Sequence, residues 1–135
     1  MNITTKGRYA LRIMIDLAQN GGDGAVSLSA VSQRQGISMK YLEAIVAVLV
    51  KADYVKSFRG KNGGYRLTRK PEEYVIGDLL KRTEGSLAPV SCVEEGCPNA
   101  DSCITYPMWA GLDRRIDEYL GKITLADLLN GTVPE

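Results

Sequence analysis

The sequence predicts a mostly α-helical fold carrying one small β-hairpin, and three observations lead there. Apolar residues recur at helical spacing over most of the chain. One pair of alternating runs, YVKSFR and GYRLTR, flanks the turn-forming stretch GKNG. The charge also changes sign near Pro71: residues 1–70 hold 12 Lys/Arg against 4 Asp/Glu, a net +8, whereas residues 71–135 hold 5 against 12, a net −7. A basic half beside an acidic half implies that the two face different partners, the first a polyanion. With 135 residues, 44% hydrophobic and 24% charged, the chain suits one compact domain with room for an appended element.

In the first element, Tyr9, Ala10, Ile13, Met14, Leu17 and Ala18 share a helix face, with Thr4 or Thr5 as N-cap and a stop at Asn20-Gly21-Gly22. Ser27 caps a short second helix that buries Leu28 and Val31 and closes at Gly36. Ser38 then caps a third, whose inward stripe is Leu42, Ile45, Val46 and Leu49. The tight Gln35-Gly36-Ile37-Ser38 link makes a helix-turn-helix, and the following hairpin makes it a winged helix-turn-helix.

That arrangement suits duplex DNA. The N-terminal turns of the third helix expose Met39, Lys40, Tyr41, Glu43 and Ala44, where a recognition helix meets base edges in the major groove. Lys40 has a phosphate or a guanine as its partner, and Glu43 can accept from a cytosine amine. Tyr41 either reaches a base edge or is a half-buried packing residue with its hydroxyl on a phosphate. At the hairpin tip, Arg59, Gly60, Lys61 and Asn62 give an arginine access to a narrow minor groove.

In the acidic half, VIGDLLKRTEG predicts a helix ending at Gly85 that packs back through Leu79 and Leu80. GSLAPVS is a connector. From Pro107 a longer helix places Trp109, Leu112, Ile116, Tyr119 and Ile123 at 3-4-3-4 spacing, a seam that predicts pairing with a second copy of the chain. A homodimer would present two recognition helices to a roughly palindromic operator. ITLADLLNG adds a last short helix with Thr124 as cap and Asp127 at its third position. The expected organisation is a winged DNA-binding unit over 1–84, a connector and cysteine loop over 85–106, and a dimerisation helix with its terminal helix over 107–135.

All three cysteines fall in CVEEGCPNADSC, and the chain has no histidine. Four residues separate Cys92 from Cys97 and five separate Cys97 from Cys103, with Gly96 and Pro98 disfavouring regular structure between them. No signal peptide or apolar run of about 20 residues is visible, so the expected location is the cytoplasm, away from any membrane. In a reducing compartment an odd, clustered set of thiols points to metal or redox chemistry rather than disulfides. The spacing matches neither zinc knuckles nor ferredoxin runs and leaves an iron-sulfur cluster, zinc and a thiol switch all open. An enzyme is excluded by the missing histidine, phosphate loop and nucleophile-base pair.

The stretches MNITTKGRYALRIMIDLA, SQRQGISMKYLEAIV, SFRGKNGGYRL, the three-cysteine loop and ITLADLL together resemble the IscR-type family of bacterial winged-helix regulators, with its NsrR and CymR branches. The resemblance spans Met1 to about Asn130. It implies a dimeric DNA-binding transcription factor whose Cys92, Cys97 and Cys103 hold an iron-sulfur cluster, commonly [2Fe-2S]. It also implies that Ser38 to Glu43 read the major groove and that Arg59 enters the minor groove. The chain departs from the pattern at the fourth ligand: Tyr106 stands where the IscR branch has histidine, and Arg8 stands where the NsrR branch has aspartate. Tyr106, a carboxylate from Glu94, Glu95 or Asp101, the partner subunit, or solvent or a small thiol are the alternatives.

Overall fold

The computed structural model describes residues 3–22 and 24–135. Its elements are α1 (Thr5–Gly21), α2 (Leu28–Gln35), α3 (Met39–Lys51), β1 (Val55–Phe58), β2 (Gly64–Leu67), α4 (Ile76–Glu84), α5 (Ser91–Glu94), α6 (Tyr106–Gly121) and α7 (Leu125–Asn130), with a 3-10 turn at Pro71–Glu73. This is the mostly helical winged architecture that the sequence predicts.

The helix-turn-helix forms for the local reasons visible in the sequence. Ser27 Oγ accepts from the Ala30 N–H and Ser38 Oγ from the Tyr41 N–H, so each hydroxyl satisfies a helix-start donor. Between them Gly36 sits at φ +66, the left-handed turn that a Cβ would resist. The stripe Leu42, Ile45, Val46 and Leu49 is buried against Ala10, Ile13, Met14 and Leu17 of α1 and Val31 of α2. These residues share one core with Leu79 and Leu80 of α4.

The wing is antiparallel, with Val55 opposite Leu67, Lys56 opposite Arg66, Ser57 opposite Tyr65 and Phe58 opposite Gly64. A further bridge from Val26 to Tyr65 lays the α1–α2 connection along its edge. Gly64 has to be glycine there: at φ +151, a Cβ would run into the Val26 carbonyl. The foot of the wing is fastened by the buried Tyr74, whose hydroxyl donates to the Tyr54 carbonyl at 2.7 Å and accepts from the Thr68 and Arg69 N–H groups.

One expectation is met by a different bond, and two need correction. Thr4 is the N-cap of α1, but its hydroxyl makes no cap bond. The carboxylate of Glu84, 80 residues away, accepts instead from the Thr4 N–H (3.0 Å), the Thr4 hydroxyl (2.8 Å) and the Gly7 N–H (2.9 Å). The seam of the long helix is one member shorter, because α6 ends at Gly121 and Ile123 lies beyond it, 3% exposed in the core. There its carbonyl accepts from the Ile76 N–H, and Leu125 and Ala126 of α7 are buried behind it. The cysteine loop also holds one helical turn, α5, which carries Cys92.

The α7 start is as predicted, a reciprocal capping box between Thr124 and Asp127.

Candidate nucleic-acid interface and cysteine loop

Burying one face of α3 turns the other outward. Ser38, Met39, Lys40, Tyr41, Glu43 and Ala44 are all exposed at its N-terminal end. Tyr41 is 43% exposed, with its ring packed edge-on to Tyr9 of α1 at 5.6 Å. Tyr9 in turn lies under the Arg12 guanidinium, 5.2 Å from the ring centroid. Arg12 donates to the side chain and the backbone carbonyl of Gln35 in the helix-turn-helix link.

Behind that contact lies Asp16, 1% exposed on the buried side of α1. It accepts from Arg34 Nε and Nη2 at 3.0 and 2.7 Å and from Gln35 at 2.9 Å. Burial alone would raise its pKa, but the hydrogen bonds from Arg34 and Gln35 and the charge of Arg34 outweigh it and hold the carboxyl below its ordinary value. The end of α2 is thereby fixed to α1, and α3 begins four residues later.

At the wing tip Arg59, Gly60, Lys61 and Asn62 are exposed, with Gly60 at φ +109. Just behind them Lys56 and Arg66 flank the exposed ring of Phe58.

The cysteine loop is looser. Cys92, Cys97 and Cys103 are free, half-buried thiols, and among the described residues no three Cys, Asp or Glu side chains converge as a metal site. Local bonds shape the loop: the Ala100 N–H to the Cys97 carbonyl, and the Cys103 N–H to the Asn99 carbonyl. Cys103 Sγ lies 3.4 Å from the Thr105 hydroxyl. That hydroxyl and the backbone N–H groups of Thr105 and Tyr106 lower the Cys103 pKa by favouring its thiolate. Tyr106 opens α6, half-buried, while Glu94, Glu95 and Asp101 are exposed.

The donor set suits an iron-sulfur cluster chemically, since soft thiolates are its ordinary ligands, with a fourth ligand to be supplied besides the three cysteines. Bringing the sulfurs together requires the loop to rearrange. Its lack of fully buried side chains from Ser91 to Cys103 leaves it free to do so.

Sequence reasoning missed two ties. Glu84 to Thr4 and Gly7 has no local signature, since it joins residues far apart in the chain. The Lys81–Asp117 ion pair at 2.9 Å, which links α4 to α6, is likewise a product of tertiary packing. Asp16 did leave a signal, a lone carboxylate inside the apolar run IMIDLA.

A helix-turn-helix with an exposed, polar recognition face and a basic two-stranded wing defines a winged-helix DNA-binding regulator. The family profile of Rrf2, an iron-dependent transcriptional regulator, matches residues 3–131, and the chain belongs to that family. It is 41% identical over 131 residues to the protein rrf2 of Nitratidesulfovibrio vulgaris, covering 96% of this chain and 87% of that one. It is also 41% identical over 131 residues to the HTH-type transcriptional regulator IscR of Sodalis glossinidius, covering 96% and 79%.

Among solved structures, CymR, the global cysteine regulator of B. subtilis, superposes with a TM-score of 0.81 at 38% identity over 98% of both chains. IscR of T. potens superposes at 0.79 with 41% identity, covering 97% of this chain and 88% of that one. The protein is an IscR-type transcriptional regulator, and these relatives are regulators rather than enzymes. None of its helices is long and apolar enough to cross a membrane, among the described residues.

Proposed function

We propose that the protein acts as a homodimer on a roughly palindromic DNA operator and that its three cysteines report iron-sulfur cluster status. Residues 1–84 form the reading unit, 85–106 the sensing segment and 107–135 the pairing and closing segment. The carrying observation is the exposed end of α3, where Ser38 fixes the helix start and Lys40, Tyr41 and Glu43 stand free of the core. Arg59, Gly60 and Lys61 serve as the minor-groove element. Pairing is supported by α6, in which no residue is fully buried and Met108, Leu112 and Tyr119 are 58%, 40% and 39% exposed.

Cys92, Cys97 and Cys103 would hold the cluster, [2Fe-2S] being the expected type, with Tyr106 the leading candidate for the fourth position. When bound, the cluster supplies a redox-sensitive and exchangeable centre. The chain's own part is to transmit the loop's arrangement. α5 packs on α6, and α6 is tied to α4 by Lys81–Asp117, so a loop that closes acts on the pairing helix and on the winged unit together. A coupling of about 1–3 kcal/mol between loop and operator is enough for regulation.

The test has two parts. Protein purified without oxygen should show visible charge-transfer bands with iron matched by sulfide, both lost in Cys92→Ala. Operator affinity should differ between cluster-loaded and cluster-free protein, and equal affinities would refute the linkage.

The separate, free thiols support a second reading, in which the cysteines act as a zinc site or a thiol switch. A colourless zinc-containing preparation would favour the zinc site. A colourless metal-free one that resists reconstitution would favour the switch.

A further inference from the structure

The outer face of the wing carries an arrangement that the tip residues do not explain. Lys56 and Arg66 are direct cross-strand partners. Like charges placed opposite each other weaken a strand pair, and a two-stranded wing has little stability to spare. Residues 54–71 contain six Lys/Arg and no carboxylate, and among the described residues neither Lys56 nor Arg66 has an acidic partner.

Both cations instead rest on one ring. Lys56 Nζ lies 5.6 Å and Arg66 Cζ 5.5 Å from the centroid of Phe58, which is 39% exposed. Phe58 faces Gly64 across the pair, so no opposing side chain covers it. The alternate strand positions Val55, Tyr65 and Leu67 pack on the core and fix this face outward. An aromatic platform holds two positive groups side by side, a few residues behind Arg59 and Lys61, where each alone would be a mobile solvated chain.

We propose that Lys56 and Arg66, seated on Phe58, form a clamp for the backbone phosphates of duplex DNA beside the groove that the wing tip enters. The inference rests on the wing being a DNA-contacting element and adds to it a sequence-independent grip. The cross-strand repulsion is relieved when phosphate lies between the two cations, so the arrangement favours the bound state over the free one.

The experiment measures binding across a salt series for wild type, Lys56→Gln, Arg66→Gln and Arg66→Lys. Two probes are used: a random-sequence DNA duplex and a duplex enriched from a random library by the wild-type protein. Because a dimer carries two wings, each Gln variant should lower the slope of log K against log salt by about 1.8, about 0.9 per wing, and weaken binding about 60-fold near 0.1 M salt, equally on both duplexes. Arg66→Lys should keep the slope. The unfolding midpoint of the Gln variants should not fall, because a repulsion has been removed.

Unchanged slopes would overturn the clamp. So would a loss confined to the enriched duplex, which is the mark of base reading, or equal losses in Arg66→Lys and Arg66→Gln. If Arg66→Gln fails to fold, Lys56→Gln reads the same slope. Wild type that neither binds the random duplex nor enriches any sequence from the library would refute the DNA-reading wing itself, a result distinguishable from failure of the clamp.

Discussion

Changing Gly7 to alanine should destabilise the protein in one background and stabilise it in another. Gly7 is the third residue of α1, and its N–H donates to Glu84 Oε1. A Cβ at this position would occupy the space of that oxygen. Gly7→Ala therefore expels the carboxylate that also holds the Thr4 N–H and hydroxyl. Loss of a helix cap costs about 0.5–2 kcal/mol, and a carboxylate at a helix N-terminus adds about 0.3–1 kcal/mol at partly exposed sites.

Against this, replacing glycine by alanine in a helix gains up to about 1 kcal/mol. The expected net is a loss of about 1–2 kcal/mol in wild type, or several degrees in the unfolding midpoint. In a Glu84→Ala background the clash with the carboxylate is gone and only a tight approach to the Ile3 side chain remains, so Gly7→Ala should become neutral or stabilising by up to about 1 kcal/mol. Urea unfolding of the four proteins followed by circular dichroism, at one protein concentration, gives the coupling energy. Equal effects of Gly7→Ala in both backgrounds would sink the assignment of Glu84 as the cap.

Asp16→Asn should cost about 2–3 kcal/mol at neutral pH by breaking the carboxylate's bonds to Arg34 and Gln35. Because the folded pKa of Asp16 lies below its ordinary value of 3.8, this contribution is fully present above pH 3.8 and fades as pH falls through the depressed folded value. The stability gap between wild type and Asp16→Asn should therefore be flat from neutral pH down to about 4 and then narrow, as acid-series unfolding will show. Leu112→Asp should shift the protein from dimer to monomer in light scattering while leaving helix content unchanged, since Leu112 is 40% exposed within the single chain. Gly64→Ala should lower the unfolding midpoint by forcing the wing away from Val26 and should weaken DNA binding with it.

The parts of this fold that were legible in the sequence are those made by near neighbours. Ser27, Gly36 and Ser38 cap or end helices through bonds spanning a few residues, so their spacing carries the helix-turn-helix openly. The wing declares itself through alternation around a glycine-rich turn. Ile123 misled because its helical spacing continues past Gly121 although the backbone does not; tertiary pairing with Ile76 decides its place. Glu84 gave no sign at all, since its partners lie on another element. At the cysteines, spacing identified the donors but not their arrangement, because the loop's few internal bonds do not bring the thiols together.

The two ties at either end of α4 have a consequence for how such a protein can change over time. Glu84, the last residue of α4, is bound to the start of α1, while Ile76, its first, is bound to Ile123 where the chain comes back from α6. Everything between, residues 85–122, leaves and rejoins the winged body across a helix only about 14 Å long. Topologically that stretch is an excursion clipped at both ends. Its exposed part, residues 91–103, can gain, lose or exchange ligands, and its length can drift, while Leu87, Ile116 and Leu120 keep the rest of the stretch packed on the shared core. One body could in this way carry sensors of different chemistry.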